Sequence, residues 1–474
     1  MTLFQLIKGD KNIHGDNGKA GYINEIRKKI TKHPISDITD DKGYQYVDLV
    51  LEGGGVLGIA LAGYTYTLEQ AGIRFLNLAG TSAGAINALI FAALGYSWEP
   101  KSEELIRIFE KMNFNSFIDG GDFAQALAQD LQENDDFLTS MLPKLGALGL
   151  LGKFRKNKFG INPGVTFEKW LEELLEEKDV FSTKDLFNKL KNNNLKIRDE
   201  KNRKDLPADK TRLEQDFQTN ELAIIASDIT TESKIIFPKM GYLYWDNPLE
   251  THPKKYVRAS MAIPLFFEPV RLDHLPKGRE DHWKALTGFE GSPPDIAYLV
   301  DGGVTSNFPI DVFHSHDCIP LCPTFGVKLG VDRKEALKLD GIKEYASALF
   351  DTARHNADYS FILNNDDYKQ LITSIDTSPQ AQENLEDFGW LEFDMPNDKK
   401  ERLFAIGAKA ARDFICGNKK WAKDPKQLPL PLGAISPFDW KAYKELRDTL
   451  SAAIPPGYQA KKDKIKEFSL LPKP

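Results

Sequence analysis

Two regimes of apolar and polar positions alternate along the chain. Up to residue 46 the sequence is polar and charged, with one helical patch around Gly21–Thr31. At Tyr46 the pattern changes. Val47–Leu51 (VDLVL) is short, continuous and β-rich, which predicts a buried parallel strand. Gly53, Gly54 and Gly55 follow, then a helix-compatible run from Leu57 to Ala71 that Gly72 ends. Arg74–Ala79 (RFLNLA) predicts the next strand, residues 80–84 a turn, and the Ala-rich stretch Ala85–Leu94 a buried helix stopping near Gly95. This succession predicts an α/β fold with a mostly parallel central sheet. Residues 100–220 read as mainly helical. Within them Thr166–Glu177 sets Phe167, Trp170, Leu171, Leu174 and Leu175 on one face, with acids opposite. Strands resume at Leu222–Ala226, Ser233–Phe237, Ile296–Val300 and Pro323–Leu329, and a helix is expected over Glu401–Ile415.

The interruptions give the domain reading. Lys196–Glu214 is dense in charge and contains Pro207, and Arg271–Pro294 is polar and rich in Pro and Gly, so both are expected on the surface. From Gly417 the chain is rich in Lys and Pro, which predicts an extended or loosely packed tail. The expected organisation is an N-terminal extension over 1–46 and an α/β domain over 47–330, with insertions at about 100–220 and 271–294. A helical part over 331–416 packs on that domain, and the tail spans 417–474.

Composition then narrows the class. Of the 474 residues, 41% are hydrophobic and 28% charged, the balance of a globular protein rather than a disordered one. The 62 basic residues are outnumbered by 69 acidic ones, which argues against a nucleic-acid partner. Cys318, Cys322 and Cys416 are too few for a disulfide framework and lack the spacing of a zinc site. The N-terminus has no apolar signal-peptide core. Leu78–Leu94, the most apolar stretch, contains Gly80, Ser82, Gly84 and Asn87 and falls short of the roughly 20 apolar residues of a membrane span. A cytoplasmic protein is expected, with export independent of a signal peptide left open.

Three segments carry candidate chemistry. Gly80-Thr81-Ser82-Ala83-Gly84 is a GxSxG between a predicted strand and helix. A sharp turn there lifts the serine oxygen above the sheet, and small flanking residues keep it free of clashes. The helix N-terminus behind it aims N–H groups at developing negative charge. The pentapeptide alone reads equally well as a plain turn with a capping serine. Gly53-Gly54-Gly55-Val56-Leu57-Gly58 follows the first strand. Its backbone can approach an anion closely, as a phosphate loop or an oxyanion hole. No Gly-Lys-Ser/Thr follows, and no acid ends the next strand, so nucleotide readings are poor. Asp301-Gly302-Gly303 ends the strand Ile296–Val300, where a parallel sheet keeps its ligands, although Asp-Gly is also a common turn.

Taken together, LEGGGVLG (51–58), GTSAG (80–84), ASMAIPLFFEPV (259–270) and DGGVTSNFP (301–309) resemble the patatin-like phospholipase family over roughly residues 47–330, and more weakly to about 415. The resemblance implies a three-layer α/β/α sandwich and a lipid acyl hydrolase acting on carboxylic esters of phospholipids at a membrane surface. It implies Ser82 as nucleophile, Asp301 as its partner in a Ser–Asp dyad, and an oxyanion hole from Gly53, Gly54 and Gly55. Gly58, Gly80, Gly84, Gly302 and Gly303 support the motifs. No metal or other cofactor is implied, and there is room for an unidentified activator. The family usually carries Arg or Lys where this chain has Leu57, so no head-group preference is carried over. Two other readings compete: a Ser–His–Asp esterase on soluble substrates, and a catalytically inactive lipid-binding or interaction protein.

Weaker features complete the picture. The apolar stretch 137–154, with the basic residues Lys144, Lys153 and Arg155, reads as a lid or membrane-touching segment, or equally as a buried helix pair. His314 and His316 are expected on a surface loop, and Lys461, Lys462, Lys464 and Lys466 on a solvated face.

Overall fold

The computed structural model describes residues 1–125 apart from 17 and 123, then 159–191, 194–198, 220–314, 319–330, 348, 352, 358–379, 388–417 and 437–452. The expectations for 137–154, for His316 and for the tail lysines fall outside the described residues.

The pattern of short apolar runs becomes a ten-stranded mixed sheet. Its main strands are β1 (Gln45–Leu51), β2 (Ile73–Thr81), β3 (Leu222–Asp228), β4 (Ser233–Phe237), β5 (Val270–Asp273), β6 (Ile296–Asp301), β7 (Thr324–Leu329) and β8 (Ile372–Ile375). They lie in the order β5-β6-β3-β2-β1-β7-β8, with β4 on the other edge of β3. The stretch from β3 to β8 is parallel, whereas β4, β5 and β6 join antiparallel. Every residue of β1 and β3 is buried, as continuous apolar runs require in a sheet covered on both faces.

Helices cover this sheet in an α/β/α sandwich. Helix α1 (Gly58–Gln70) and helix α2 (Ala83–Ala93) are apolar almost all round and buried almost all round. Helix α3 (Lys254–Ser260) packs on β3 and β6. Helix α4 (Asn397–Cys416) lies across α1 and also meets the N-terminal helix Tyr22–Lys32. That crossing is close because two glycines face it. A Cβ on Gly63 would sit 2.0 Å from the Phe404 carbonyl oxygen, and one on Gly407 would sit 1.9 Å from that of Ala60.

Three stretches are more ordered than their composition suggests. Before residue 46, Leu3, Ile7, Ile26 and Ile30 enter the same core as the sheet. Within 271–294, the residues after Val270 continue edge strand β5, and the helix Glu280–Thr287 buries Trp283. In the Lys/Pro-rich tail, helix α5 (Trp440–Ala452) follows Phe438 and buries Trp440 and Tyr443. The Trp440 indole and the Lys444 ammonium both bind Asp37, and Arg447 pairs with buried Asp367. An extended or loosely packed tail was expected from Gly417; in its described part, 437–452, the aromatic residues Phe438, Trp440 and Tyr443 are buried and anchor a helix. No helix among the described residues is long and apolar enough to cross a membrane.

Candidate active site

The elbow is tighter than the sequence suggests. Strand β2 runs on through Thr81 and α2 begins at Ala83, so Ser82 alone makes the turn. It does so at φ 51, ψ −117, in the left-handed half of the map that side chains normally avoid. Both flanking glycines are sterically required. A Cβ on Gly80 would lie 2.3 Å from the Gly84 carbonyl group, and one on Gly84 would lie 2.1 Å from the Leu51 oxygen. The Ser82 side chain makes no capping hydrogen bond to α2, which removes the capping-serine reading.

Asp301 reaches the same place from the opposite direction. The strand that carries it is antiparallel to β3, not parallel as the sequence reading assumed. One edge of β3 is taken by β4. The other edge pairs first with β2, ending at Thr81↔Ile225, and then with β6, ending at Asp301↔Ala226. The C-terminal ends of β2 and β6 therefore meet head to head across a single residue step of β3. This brings Ser82 and Asp301 to one spot, and both are 7% exposed. The Asp301 carboxylate accepts the Gly303 N–H at 2.7 Å. A Cβ on Gly302 would lie 2.3 Å from the Ile225 oxygen, so this turn too is closed to larger residues.

One short segment ties both backbones together. The Ser82 N–H donates to Ser260 Oγ at 2.9 Å, and the Asp301 N–H donates to the Ala262 carbonyl at 2.9 Å. Neither Ser260 nor Ala262 stood out as a functional position in the sequence, although the run ASMAIP that holds them did.

The glycine loop leans on the stretch after Asp301. Gly53 donates its N–H to the Asn307 carbonyl at 3.1 Å. Gly53 is thus not a donor for an oxyanion, a correction to the sequence expectation. It is needed for space: a Cβ there would lie 2.5 Å from Asn307 Oδ1 and 3.1 Å from Ser82 Cβ. Gly54 and Gly55 open the 3-10 turn Gly55–Leu57, and their N–H groups have no acceptor among the described residues. Gly55 sits at φ 56, with its carbon against the Trp390 carbonyl, so only glycine fits. Asn307 Nδ2 donates to Glu52 Oε1 and to the Gly53 carbonyl, and the Thr81 hydroxyl donates to the Ser306 carbonyl. Three distant segments are thereby fixed to one another. This polar hub of Thr81, Ser306 and Asn307 was missed in the sequence reading, where TSNFP was noticed only as part of a motif.

The family model that matches this chain is described as patatin-like phospholipase and spans residues 49–314, more than half of the chain, with the glycine loop, the elbow, residues 260–262 and the turn after Asp301 inside it. The chain belongs to the patatin-like phospholipase family. A relative in Bacillus subtilis (strain 168), the uncharacterized protein YqhO, is 30% identical over 378 residues, covering 79% of this patatin-like chain and 99% of its own length. The crystal structure of VipD from Legionella pneumophila overlaps 92% of this chain and 83% of its own, with 15% identity and a TM-score of 0.33, too loose a likeness to carry an argument.

Two further details of this patatin-like site bear on its chemistry. Leu57, where the family usually has a cation, is partly buried and packs on the core, so that position offers no charge to a ligand. The His314 ring stands edge-on to Phe361 and Tyr368, at 5.2 and 4.6 Å between centroids. Outside this site, Glu172, Glu176 and His252 bring ligand atoms within 4.8 Å of one another. There the Lys254 ammonium binds Glu172 at 2.5 Å, and the Lys254 backbone N–H donates to His252 Nδ1 at 3.2 Å. A cation is already provided, and the imidazole hydrogen is thereby assigned to Nε2, which suits a metal poorly.

Proposed function

We propose that this protein is a lipid acyl hydrolase that cleaves carboxylic ester bonds of phospholipids through a Ser82–Asp301 dyad. The observation that carries the reading is the head-to-head meeting of β2 and β6 on one edge of β3, with Ser82 held off the capping position. In the first half-reaction Ser82 Oγ attacks the ester carbonyl carbon and its proton passes to the Asp301 carboxylate. The carbonyl electron pair moves to the oxygen, where the Gly54 and Gly55 N–H groups serve as donors. Collapse breaks the bond to the alcohol, the lysolipid leaves with the proton, and the acyl group stays on Ser82. Water then attacks the acyl-enzyme and gives a proton to Asp301; collapse breaks the ester bond to Ser82 Oγ, which takes that proton back, and the fatty acid is released. The substrate belongs at a membrane surface, which fits the family's lipid chemistry and a chain with no spanning helix among the described residues.

The test combines purified protein, mixed phospholipid liposomes and product analysis by mass spectrometry. Wild type releases fatty acid and lysolipid and is labelled on Ser82 by a fluorophosphonate. Ser82→Ala and Asp301→Asn release neither, whereas His314→Ala stays active. An active Asp301→Asn enzyme, or a folded His314→Ala enzyme that is dead, would overturn the dyad.

A further inference from the structure

Residues 358–364 are helical and lie outside the segment matched by the family. Asp358 is the first described residue of this stretch and is buried. Its two carboxylate oxygens accept from the Ser306 hydroxyl at 2.6 Å and from the Phe308 N–H at 2.7 Å. Burial pushes its carboxyl up to about 6, against the pull of those two hydrogen bonds. Between the two clamped residues stands Asn307, and each member of the trio is buried.

These residues touch the serine elbow and the glycine loop. The Ser306 carbonyl accepts from Thr81, the residue before Ser82. The Asn307 carbonyl accepts from Gly53, and its amide nitrogen donates to Glu52 and Gly53. The trio is continuous with the turn that Asp301 begins. No ladder runs through this stretch: the Ser306 N–H donates to the Gly302 carbonyl at 2.8 Å, whereas the Phe308 N–H and the Ser306 hydroxyl have Asp358 as their acceptor. We propose that Asp358 is a positioning residue for acyl transfer, holding residues 306–308 in the conformation that keeps the glycine loop and the serine elbow aligned. This rests on the Ser82 reading. Asp358 does not touch the reacting atoms and acts through Ser306 and Phe308.

Chemistry supplies a discriminating pair of variants. In Asp358→Asn, Oδ1 can still accept the Phe308 N–H while Nδ2 donates to Ser306 Oγ, since a hydroxyl accepts as well as donates. In Asp358→Ala both partners are left unpaired in a buried place. A misplacement of this kind can cost about 100-fold in rate even when it arises away from the chemistry.

The experiment uses the full chain as wild type, Asp358→Ala, Asp358→Asn and Ser306→Ala. Three quantities are read: the rate of fluorophosphonate labelling, kcat and KM on a p-nitrophenyl ester, and hydrogen exchange of the amides at 53–57 and 81–83. Asp358→Ala is expected to lower labelling and kcat about 100-fold, with KM within about twofold. Asp358→Asn is expected to stay within about fivefold of wild type. Exchange should rise at 53–57 in the Ala variant and not in the Asn variant. A folded Ala variant that labels and turns over like wild type overturns the proposal, and so does an Asn variant as slow as Ala. If the Ala variant does not fold, Ser306→Ala decides: a loss of about tenfold in kcat at unchanged KM supports the proposal, and an unchanged kcat overturns it. If wild type itself neither labels nor hydrolyses, the Ser82 reading has failed. Exchange then judges Asp358 alone, and unchanged protection at 53–57 in the Ala variant overturns its positioning role.

Discussion

At Ser82 the protein accepts a backbone conformation that costs a residue with a Cβ on the order of 1–3 kcal/mol. Ser82→Ala keeps that Cβ, so its stability should change by less than about 0.5 kcal/mol while hydrolysis disappears. Ser82→Gly is equally inactive but should melt at a higher temperature than Ser82→Ala, because glycine is at ease at φ 51. Calorimetry of the two variants side by side checks this, and the reverse order would remove the strain argument. Gly55 offers the complementary case. It combines φ 56 with a carbonyl oxygen 2.1 Å from where a Cβ would stand. Gly55→Ala must therefore swing the loop away from Trp390 and misdirect its own N–H. Loss of one oxyanion donor typically costs about 2.7–4 kcal/mol of transition-state stabilisation. The expected result is a kcat reduced by at least about 100-fold with KM little changed, read from steady-state kinetics.

Between α1 and α4 the contact depends on two glycines, each facing the other helix's backbone. A methyl group at Gly407 has only the Ala60 peptide to push against, and peptides of a buried helix do not give way. Gly407→Ala should lower stability by about 1–3 kcal/mol, seen as a lower urea midpoint. An unchanged midpoint would mean the helices can separate freely. At this scale the sequence was legible in parts. VDLVL, the Ala-rich helix and the elbow were readable because each is a local pattern whose burial shows in its own residues. The expected helix over 166–177 appears at Val165–Glu176 for the same reason. What stayed hidden depends on partners far along the chain. Nothing in GYTYT tells that Gly63 meets Phe404. Nothing in IAYLVD tells that β6 enters antiparallel, because direction is set by where the chain has been before the strand. Helix α5 was obscured by Lys and Pro around it, although Phe438, Trp440 and Tyr443 mark a buried face.

Across the whole molecule, ionisable groups sealed beneath the sheet make stability depend on pH. Burial raises the Asp48 carboxyl from 3.8 to about 7, with hydrogen bonds from Asn77 and Thr324 opposing the shift. The folded state thus holds a proton that the unfolded chain has already lost. This contribution is fully present below pH 3.8 and is lost as pH rises through about 7. Each pKa unit corresponds to about 1.4 kcal/mol. Asp48→Asn should match wild type at pH 4 and exceed it increasingly toward pH 7, with a constant difference above. Melting temperatures across that range decide it, and a difference that does not vary with pH would count against the buried-acid account. Another whole-molecule dependence lies at the Arg447–Asp367 pair, which is almost wholly buried. Arg447→Met leaves Asp367 as a lone buried charge and should cost about 3–5 kcal/mol, most of it recovered by Asp367→Leu in the same chain. The head-to-head strands have a consequence of a different kind. Thr81, the residue before Ser82, and Asp301 are indexed to Ile225 and Ala226, so β3 acts as a ruler with one graduation, about 3.3 Å, between the strand end that leads into Ser82 and the strand end that carries Asp301. A ruler is sensitive to length and indifferent to pigment. Drift at positions 225 and 226 among apolar residues of similar size should leave the enzyme working. A single residue inserted between them would pull the ends of β2 and β6 apart without altering Ser82 or Asp301. Lineages carrying this fold should therefore accumulate substitutions in the strand that touches neither reacting atom, and almost never an insertion or a deletion.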